Sequence, residues 1–353
     1  MSKDGGVVPN MHSSTLLSST VPHGKKSQGA RWGASQEWMS NVFGLLDADA
    51  LCKARLVCSG WEREAIRMKT SLIIPTDHSV EVVQKLHSIS RAITKNRMPR
   101  LQALEIHGRY DRETNASIGP LVNTLMDAAC EGSQQLTALK LPWQWASPEN
   151  SSALDIRPLL PRLTRLHLWG VDEKESSMAA LEEALASMSS LTDLHLDFDA
   201  PEPRVRDGRL LMVLPRSLTR LSIQNVEVEG PNLGSLRCAE NLAELEIGYC
   251  CFEGPMGLSV AVNLKRLSMR DAAFKQEDLD DILTLGKLEH LSINGADECG
   301  ECSFMGSMEA FVQRLPGCHP LLTSLELKNI NFYTDAVVEV LGSLTGLTSL
   351  NLI

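Results

Sequence analysis

The hydrophobic positions of this chain recur in a six-residue frame. From residue 101 onward the form L-x-x-L-x-L appears ten times, as LQALEI at 101, LTALKL at 136, LTRLHL at 163, LTDLHL at 191, LTRLSI at 218, LAELEI at 242, LKRLSM at 264, LEHLSI at 288, LTSLEL at 322 and LTSLNL at 347. Successive copies start 35, 27, 28, 27, 24, 22, 24, 34 and 25 residues apart. The last two apolar residues of each copy alternate with polar ones at a period of two, which predicts a short strand with those two residues inward. In the copy at 163, Leu166 and Leu168 face a core while Arg165, His167 and Trp169 project; in the next, Leu194 and Leu196 are core and Asp193, His195 and Asp197 project. Between strands, apolar residues three and four apart, Met178, Leu181 and Leu185 or Leu279, Ile282 and Leu283, predict amphipathic helices.

One such unit has no interior of its own. Stacking buries each leucine ladder against the next, so the strands should build a continuous parallel sheet on a concave face and the helices should spread a convex one. The period resembles that of leucine-rich repeat proteins, about 20 to 29 residues, with two longer insertions, over about residues 101–353. The resemblance implies an α/β solenoid, a horseshoe of about ten repeats. Three residues beyond the last Leu of the frame, where that family often has Asn or Cys to satisfy turn backbone groups, stand Arg109, Gln144, Val171, Asp199, Val226, Cys250, Ala272, Ala296 and Ile330. Cys250 alone matches, so the turns should vary. The last copy runs out at Leu350, Leu352 and Ile353 with no polar cap; dimerisation, an unusual cap and a truncated chain are the alternatives.

Residues 34–74 carry a second pattern. Trp38, Val42, Phe43, Leu45 and Leu46 form one helical stripe, an acidic turn follows, and Leu51, Ala54, Leu56, Val57 and Trp61 supply further helical faces. With Glu37, Val42-Phe43, Leu46, Asp47, Leu51 and the LVCSGW run from Leu56 to Trp61, the segment resembles the F-box, although Ala34-Ser35 stand where that family has Leu-Pro. The resemblance implies a small all-helical module that docks Skp1, and through it a cullin, by way of Val42, Phe43, Leu46, Leu51 and Val57. An ordinary helical cap on the repeats is the other reading. Residues 1–31, rich in Ser, Thr, Gly, His and Lys, read as a disordered tail, with a transit peptide as the minor alternative. The module then spans 32–74, and 75–100, with Val80, Val83, Leu86, Ile89 and Ile93, reads as a helical linker.

Composition narrows the function. Leucine supplies 53 of 353 residues and aromatic residues only 5%, so the interior is built mostly from one aliphatic shape. A net charge of -10 argues against nucleic acid or an anionic membrane as the partner, although a local basic patch could survive that average. Nine scattered cysteines and no leader pattern suggest a reduced compartment, cytoplasmic or nuclear or both. No apolar run approaches the ~20 residues of a membrane-spanning helix.

The binding candidates are the outward row of the strands, held by a rigid sheet and not spent on the core. They are Glu105, His107, Arg165, His167, Trp169, Asp193, His195, Asp197, Arg220, Gln224, Glu244, Glu246, Arg266, Arg270, His290, Asn294, Glu326 and Lys328; Trp169, Arg165, His167, His195, Asp197, Arg220, Glu246 and Arg270 lead. Trp169 is singular because a tryptophan in a polar row exposes apolar area unless something covers it. Trp143 and Trp145 add aromatic surface near that end. Cys299-x-x-Cys302 with Cys318-His319 is a weak zinc pattern, and no nucleophile, base and oxyanion set or phosphate loop is recognisable. The expectation is a non-catalytic chain without cofactor, a target-binding adaptor of an SCF-type ubiquitin ligase. The alternative is a repeat scaffold with no role in ubiquitin transfer, and a hydrolase or metalloenzyme stands third.

Overall fold

The computed structural model describes residues 71–75, 80–95, 98–107, 112–142, 158–171, 175–198, 204–205, 209–225, 227–228, 233–252, 254–270, 275–295, 305–329 and 335–352. The tail at 1–31 and the helical module up to residue 70, with Val42, Phe43, Leu46, Leu51 and Val57, lie outside them. So do Trp143, Trp145, Cys299 and Cys302.

The strands are β1 (Ser71–Pro75), β2 (Ala103–His107), β3 (Ala138–Pro142), β4 (Arg165–Val171), β5 (Asp193–Phe198), β6 (Arg204–Val205), β7 (Arg220–Gln224), β8 (Glu227–Val228), β9 (Glu244–Gly248), β10 (Cys251–Phe252), β11 (Arg266–Arg270), β12 (His290–Asn294), β13 (Ser324–Lys328) and β14 (Ser349–Leu352). The helices are α1 (Val80–Thr94), α2 (Arg112–Gly132), α3 (Glu175–Ser187), α4 (Arg209–Val213), α5 (Gln276–Leu283), α6 (Met305–Cys318) and α7 (Asp335–Gly342). Eleven strands form one parallel sheet in the order β1-β2-β3-β4-β5-β7-β9-β11-β12-β13-β14, each beside the strand of the next repeat.

The register carries the leucine frame intact. Leu166 pairs with Leu194, Leu194 with Leu221, Leu221 with Leu245 and Leu245 with Leu267, so inward side chains stack into unbroken ladders. These residues are all nearly fully buried, as are Leu181, Leu185, Leu279, Ile282 and Leu283 on the helical side. The ladder opens at its far end, where Leu350 and Leu352 are 48% and 39% exposed.

The sheet starts earlier than the ten copies do. β1 pairs with β2 through Leu72–Leu104 and Ile74–Ile106, inside the 32–74 segment expected to be helical. In this register Lys69 stands where the other copies have their first leucine, which hid the repeat from the frame search. α1 follows, with Leu86, Ile89 and Ile93 buried as the stripe predicts, and packs on α2, where a Cβ at Gly132 would stand 2.7 Å from the Ile93 carbonyl oxygen.

Spacing decides what the convex side carries. The 35- and 34-residue intervals hold the 21- and 14-residue helices α2 and α6. The 24- and 22-residue intervals after 218 and 242 show single 3-10 turns at Leu233–Ser235, Ala239–Asn241 and Leu258–Val260. The expected convex helices give way to 3-10 turns in these two repeats, whereas the 24-residue interval after 264 carries the eight-residue α5, whose Leu279, Ile282 and Leu283 supply a three-and-four apolar stripe. The connections after 218 and 242 pair with the one before them as a small parallel sheet, β10-β8-β6.

A threonine ladder locks the strand entrances. The hydroxyls of Thr164, Thr192, Thr219 and Thr348 donate to the carbonyls of Thr137, Thr164, Thr192 and Thr323, at 3.2, 3.0, 3.0 and 3.0 Å. This is the physical content of the L-T-x-L spelling in six of the ten copies. At the turn, the Cys250 thiol points at the Gly248 carbonyl, 3.1 Å away, so the one match to the family's turn position does satisfy backbone.

Candidate functional site

Three outward columns run across the sheet. The first holds Ser71, Ala103, Ala138, Arg165, Asp193, Arg220, Glu244, Arg266, His290, Ser324 and Ser349. The second holds Ile73, Glu105, Lys140, His167, His195, Ser222, Glu246, Ser268, Ser292, Glu326 and Asn351. The third includes Trp169, Asp197, Gln224, Gly248 and Arg270. The first two line a trough of about 630 Å³ spanning β2 to β13.

The leading candidates fall into two groups. Trp169, His167 and His195 are brought together on β4 and β5: His195 stacks on His167 with centroids 3.8 Å apart, His167 meets Trp169 edge-on at 5.6 Å, and His107 lies 5.9 Å from Trp169. Lys140, which the sequence reading did not single out, places its ammonium 5.8 Å from the Trp169 ring, a cation–π distance. Trp169 is therefore half-buried against strand neighbours. Gly170, at φ 67, follows it and the register shifts there, a bulge that ends regular pairing beside the ring.

Arg220, Glu246, Arg270 and Asp197 belong to polar chains farther along. Arg220 bonds Glu244 at 2.7 Å and reaches Asp193 at 3.4 Å; Arg270 bonds Glu246 at 2.7 Å; Asp197 accepts from the Asn225 amide at 2.7 Å. Exposed pairs of this kind are worth little to stability, about 0 to 1 kcal/mol, but they hold the face in one arrangement. Lys328, Ser292 and Asn351 all bond Glu326, which is held down to about 2, chiefly by Lys328. Arg165 is exposed and has no ion pair among the described residues.

Burial sets the histidines. His167 is pushed down to about 3 by desolvation first and then by the charges of His195, Lys140 and His107. His195 is lowered by desolvation, against the pull of Glu246, Asp197 and Asp193. His319, 1% exposed, stands where other repeats place Leu285 and Leu344; its ring nitrogens make no hydrogen bond of good geometry, and burial lowers it against a weak pull from the Leu285 backbone. The unfolded chain takes up these protons near pH 6.5 and the folded chain only well below, so stability is lost as pH falls from about 6.5. Urea midpoints at pH 5 and 7.5 should show this loss, and His319→Leu should remove part of it. An equal pH 5 deficit in wild type and His319→Leu would contradict the assignment.

Sequence reasoning also missed Tyr249. It is 59% exposed at the rim beside Gly248, with φ 54. Asn225 and Asn329, at φ 59 and 53, and Gly170 hold the equivalent place in other repeats. Asparagine tolerates the left-handed region and a tyrosine does not. Tyr249→Asn is accordingly expected to stabilise the fold by about 1 kcal/mol in urea denaturation, and a loss of stability would show that the ring is needed where it sits.

Among the described residues no group of three or more His, Cys, Asp or Glu side chains is placed to hold a metal ion, and no helix is long and apolar enough to cross a membrane. Cys318 is half-buried at the end of α6.

No family model matches the chain and no curated protein matches it. Solved structures resemble it loosely. An internalin from Listeria monocytogenes is 17% identical over 89% of this chain and 92% of that one, with a TM-score of 0.39. A chain in the Rad7 and Elc1 complex of yeast is 16% identical over 91% and 88%, with a TM-score of 0.48. A plant peptide hormone receptor in complex with its peptide is 15% identical over 73% and 40%, with a TM-score of 0.39. Likeness at this level carries no functional argument; the repeat architecture rests on the register and ladders of the chain itself.

Proposed function

We propose that the chain is a non-catalytic protein-binding solenoid whose strand face holds a partner protein. The observation that carries this reading is the trough itself, lined by ordered polar side chains that the core does not use, with a half-buried tryptophan among three histidines beside its β4 end. Aromatic anchors with a polar surround are what a protein interface concentrates its affinity on. Of the face residues, Trp169, Arg165, His167 and His195 form the anchor end, and Asp197, Arg220, Glu246 and Arg270 the mosaic beyond it. Trp169→Ala is the direct test: a protein retained by the wild-type chain and re-bound as a purified pair should lose affinity to the folded variant, and unchanged affinity would remove the face from the binding reading.

A finer reading rests on the residues upstream. The stripe Val42, Phe43, Leu46, the Asp47 and Leu51 positions and the LVCSGW run support a module over 32–74 that docks Skp1 and through it a cullin. The solenoid would then hold a target at fixed distance and angle from ubiquitin-loading machinery, a contribution of proximity rather than of bond making. Purified chain titrated with Skp1 in a calorimeter, with Phe43→Asp in parallel and its fold checked by circular dichroism, decides between the two. Saturable binding lost in the folded variant supports the adaptor. A folded wild type that does not bind Skp1 leaves the scaffold.

A further inference from the structure

The trough is not uniform along its length. Its first column runs from Ser71 on β1 through two alanines, Ala103 on β2 and Ala138 on β3, and then steps up to Arg165 on β4. Two short side chains followed by a long one leave a notch, with Ala103 and Ala138 as its floor, Arg165 as one wall, and Lys140 and His167 behind in the second column; all five line the trough.

Charge is uneven in the same place. Glu105 is already engaged by Lys140 at 2.6 Å and by the His107 ring, and although burial works against its charge, the Lys140 ammonium first and then His107 pull its carboxyl below the usual range. Asp193, the register neighbour of Arg165, turns to Arg220 instead. From β2 to β4 the face thus carries two bases, Lys140 and Arg165, against the one acid Glu105, whereas the cations beyond, Arg220, Arg270 and Lys328, each have a carboxylate partner on the sheet. Among the described residues Arg165 is left without a carboxylate partner beside the notch, on a chain of net charge -10.

His167 completes the site. Lys140 faces it from β3, His107 from β2 and His195 from β5, while Asp193 and Asp197 on β5 and Glu246 on β9 act on His195. A neutral imidazole that turns its lone pair to a neighbouring donor keeps one N–H free to donate to a ligand.

We propose that this notch receives a carboxylate side chain of the bound protein, with Arg165 supplying the charge and Lys140 and His167 further N–H donors. The proposal rests on the strand face being the binding surface and adds what that surface selects: an acidic residue aligned with the Trp169 cluster. A lysine or arginine in the same place would meet Arg165 with Glu105 already occupied. It also reverses, at one point, the preference for basic partners that the overall charge suggests.

The test uses the whole chain and N-acetyl-triglutamate amide, followed by the imidazole proton resonances of His167 and His195, assigned with His167→Gln and His195→Gln. Triglutamate should shift the His167 resonance saturably, with half-saturation on the order of millimolar. Arg165→Glu should weaken it by about tenfold or more, as for loss of one charge-assisted bond, and Arg165→Gln by less; both side chains are exposed, and circular dichroism checks their fold. Trilysine should leave His167 unmoved. The proposal is overturned if triglutamate leaves His167 unmoved, if Arg165→Glu responds like wild type, or if trilysine moves His167 instead. Such a failure leaves Trp169-dependent retention of a partner intact, whereas failure of the binding reading abolishes that retention too.

Discussion

Leu221→Ala is expected to cost about 2 to 5 kcal/mol of stability, the largest effect of any single truncation in the strand ladder. Leu221 is fully buried between Leu194 on one side and Leu245 on the other, with β5 and β9 held at fixed spacing by their own ladders. Neither neighbour can move in to fill the space without breaking its register, so the cavity term adds to the transfer term. Because each repeat buries its leucines only against adjacent ones, the loss also weakens both flanking interfaces. Leu350→Ala is the internal control. That side chain occupies the same ladder but is 48% exposed, and its removal should cost less than about 1 kcal/mol. Urea denaturation of the two variants decides; equal losses would mean that the ladder is not what stabilises the array.

Asp278→Ala should be the next most damaging change, at about 2 to 3 kcal/mol. Asp278 is 1% exposed at the start of α5. One carboxylate oxygen accepts from the Lys275 backbone N–H at 2.6 Å, and the other accepts from the Met256 N–H at 2.5 Å, in the connection of the preceding repeat. The first bond satisfies a helix-terminal donor; the second ties two repeats together on the convex side. Truncation leaves the Met256 amide buried without a partner, which costs more than the Lys275 amide, since Lys275 is exposed to water. Burial raises the Asp278 carboxyl above its ordinary range, although both amides pull it back. Asn, which carries no charge to desolvate and keeps one acceptor, should therefore cost roughly half as much as Ala. Amide exchange at Met256 distinguishes this from general loosening: it should accelerate in Asp278→Ala while the amides of β4 and β5 stay protected.

The strands and the inward ladder were legible because period-two alternation tied to a recurring leucine leaves few alternatives. The convex side was legible only where apolar residues recur three and four apart. α3 and α5 follow from their three-and-four spacing, but an interval of 22 residues contains no signal that distinguishes a 3-10 turn from a short helix. β1 was invisible because Lys69 breaks the frame that the search used. At the site, sequence placed Trp169, His167 and His195 on one row, and register turned them into a cluster. Lys140 was missed because its partners lie 29 and 35 residues away, across strand boundaries, and only the alignment of β2, β3 and β4 brings it over Trp169 and beside Glu105. Tyr249 was missed for another reason. Its interest lies in a backbone angle, and nothing in the letters YC announces φ 54.

The intervals between copies range from 22 to 35 residues, yet the strand register is nearly uninterrupted. Added residues have all gone to the return path. Length and recognition are therefore separate variables in this molecule: the chain can lengthen or shorten between Gln224 and Leu242, or between Asn294 and Leu322, without changing which side chains stand in the trough. A single residue inserted within β7 would instead exchange the inward and outward sets of that strand. Grafting and diversification experiments on this scaffold can thus vary the length of the convex connections where they keep their buried residues and the Asp278–Met256 tie, while any change to the binding face must be made by substitution alone.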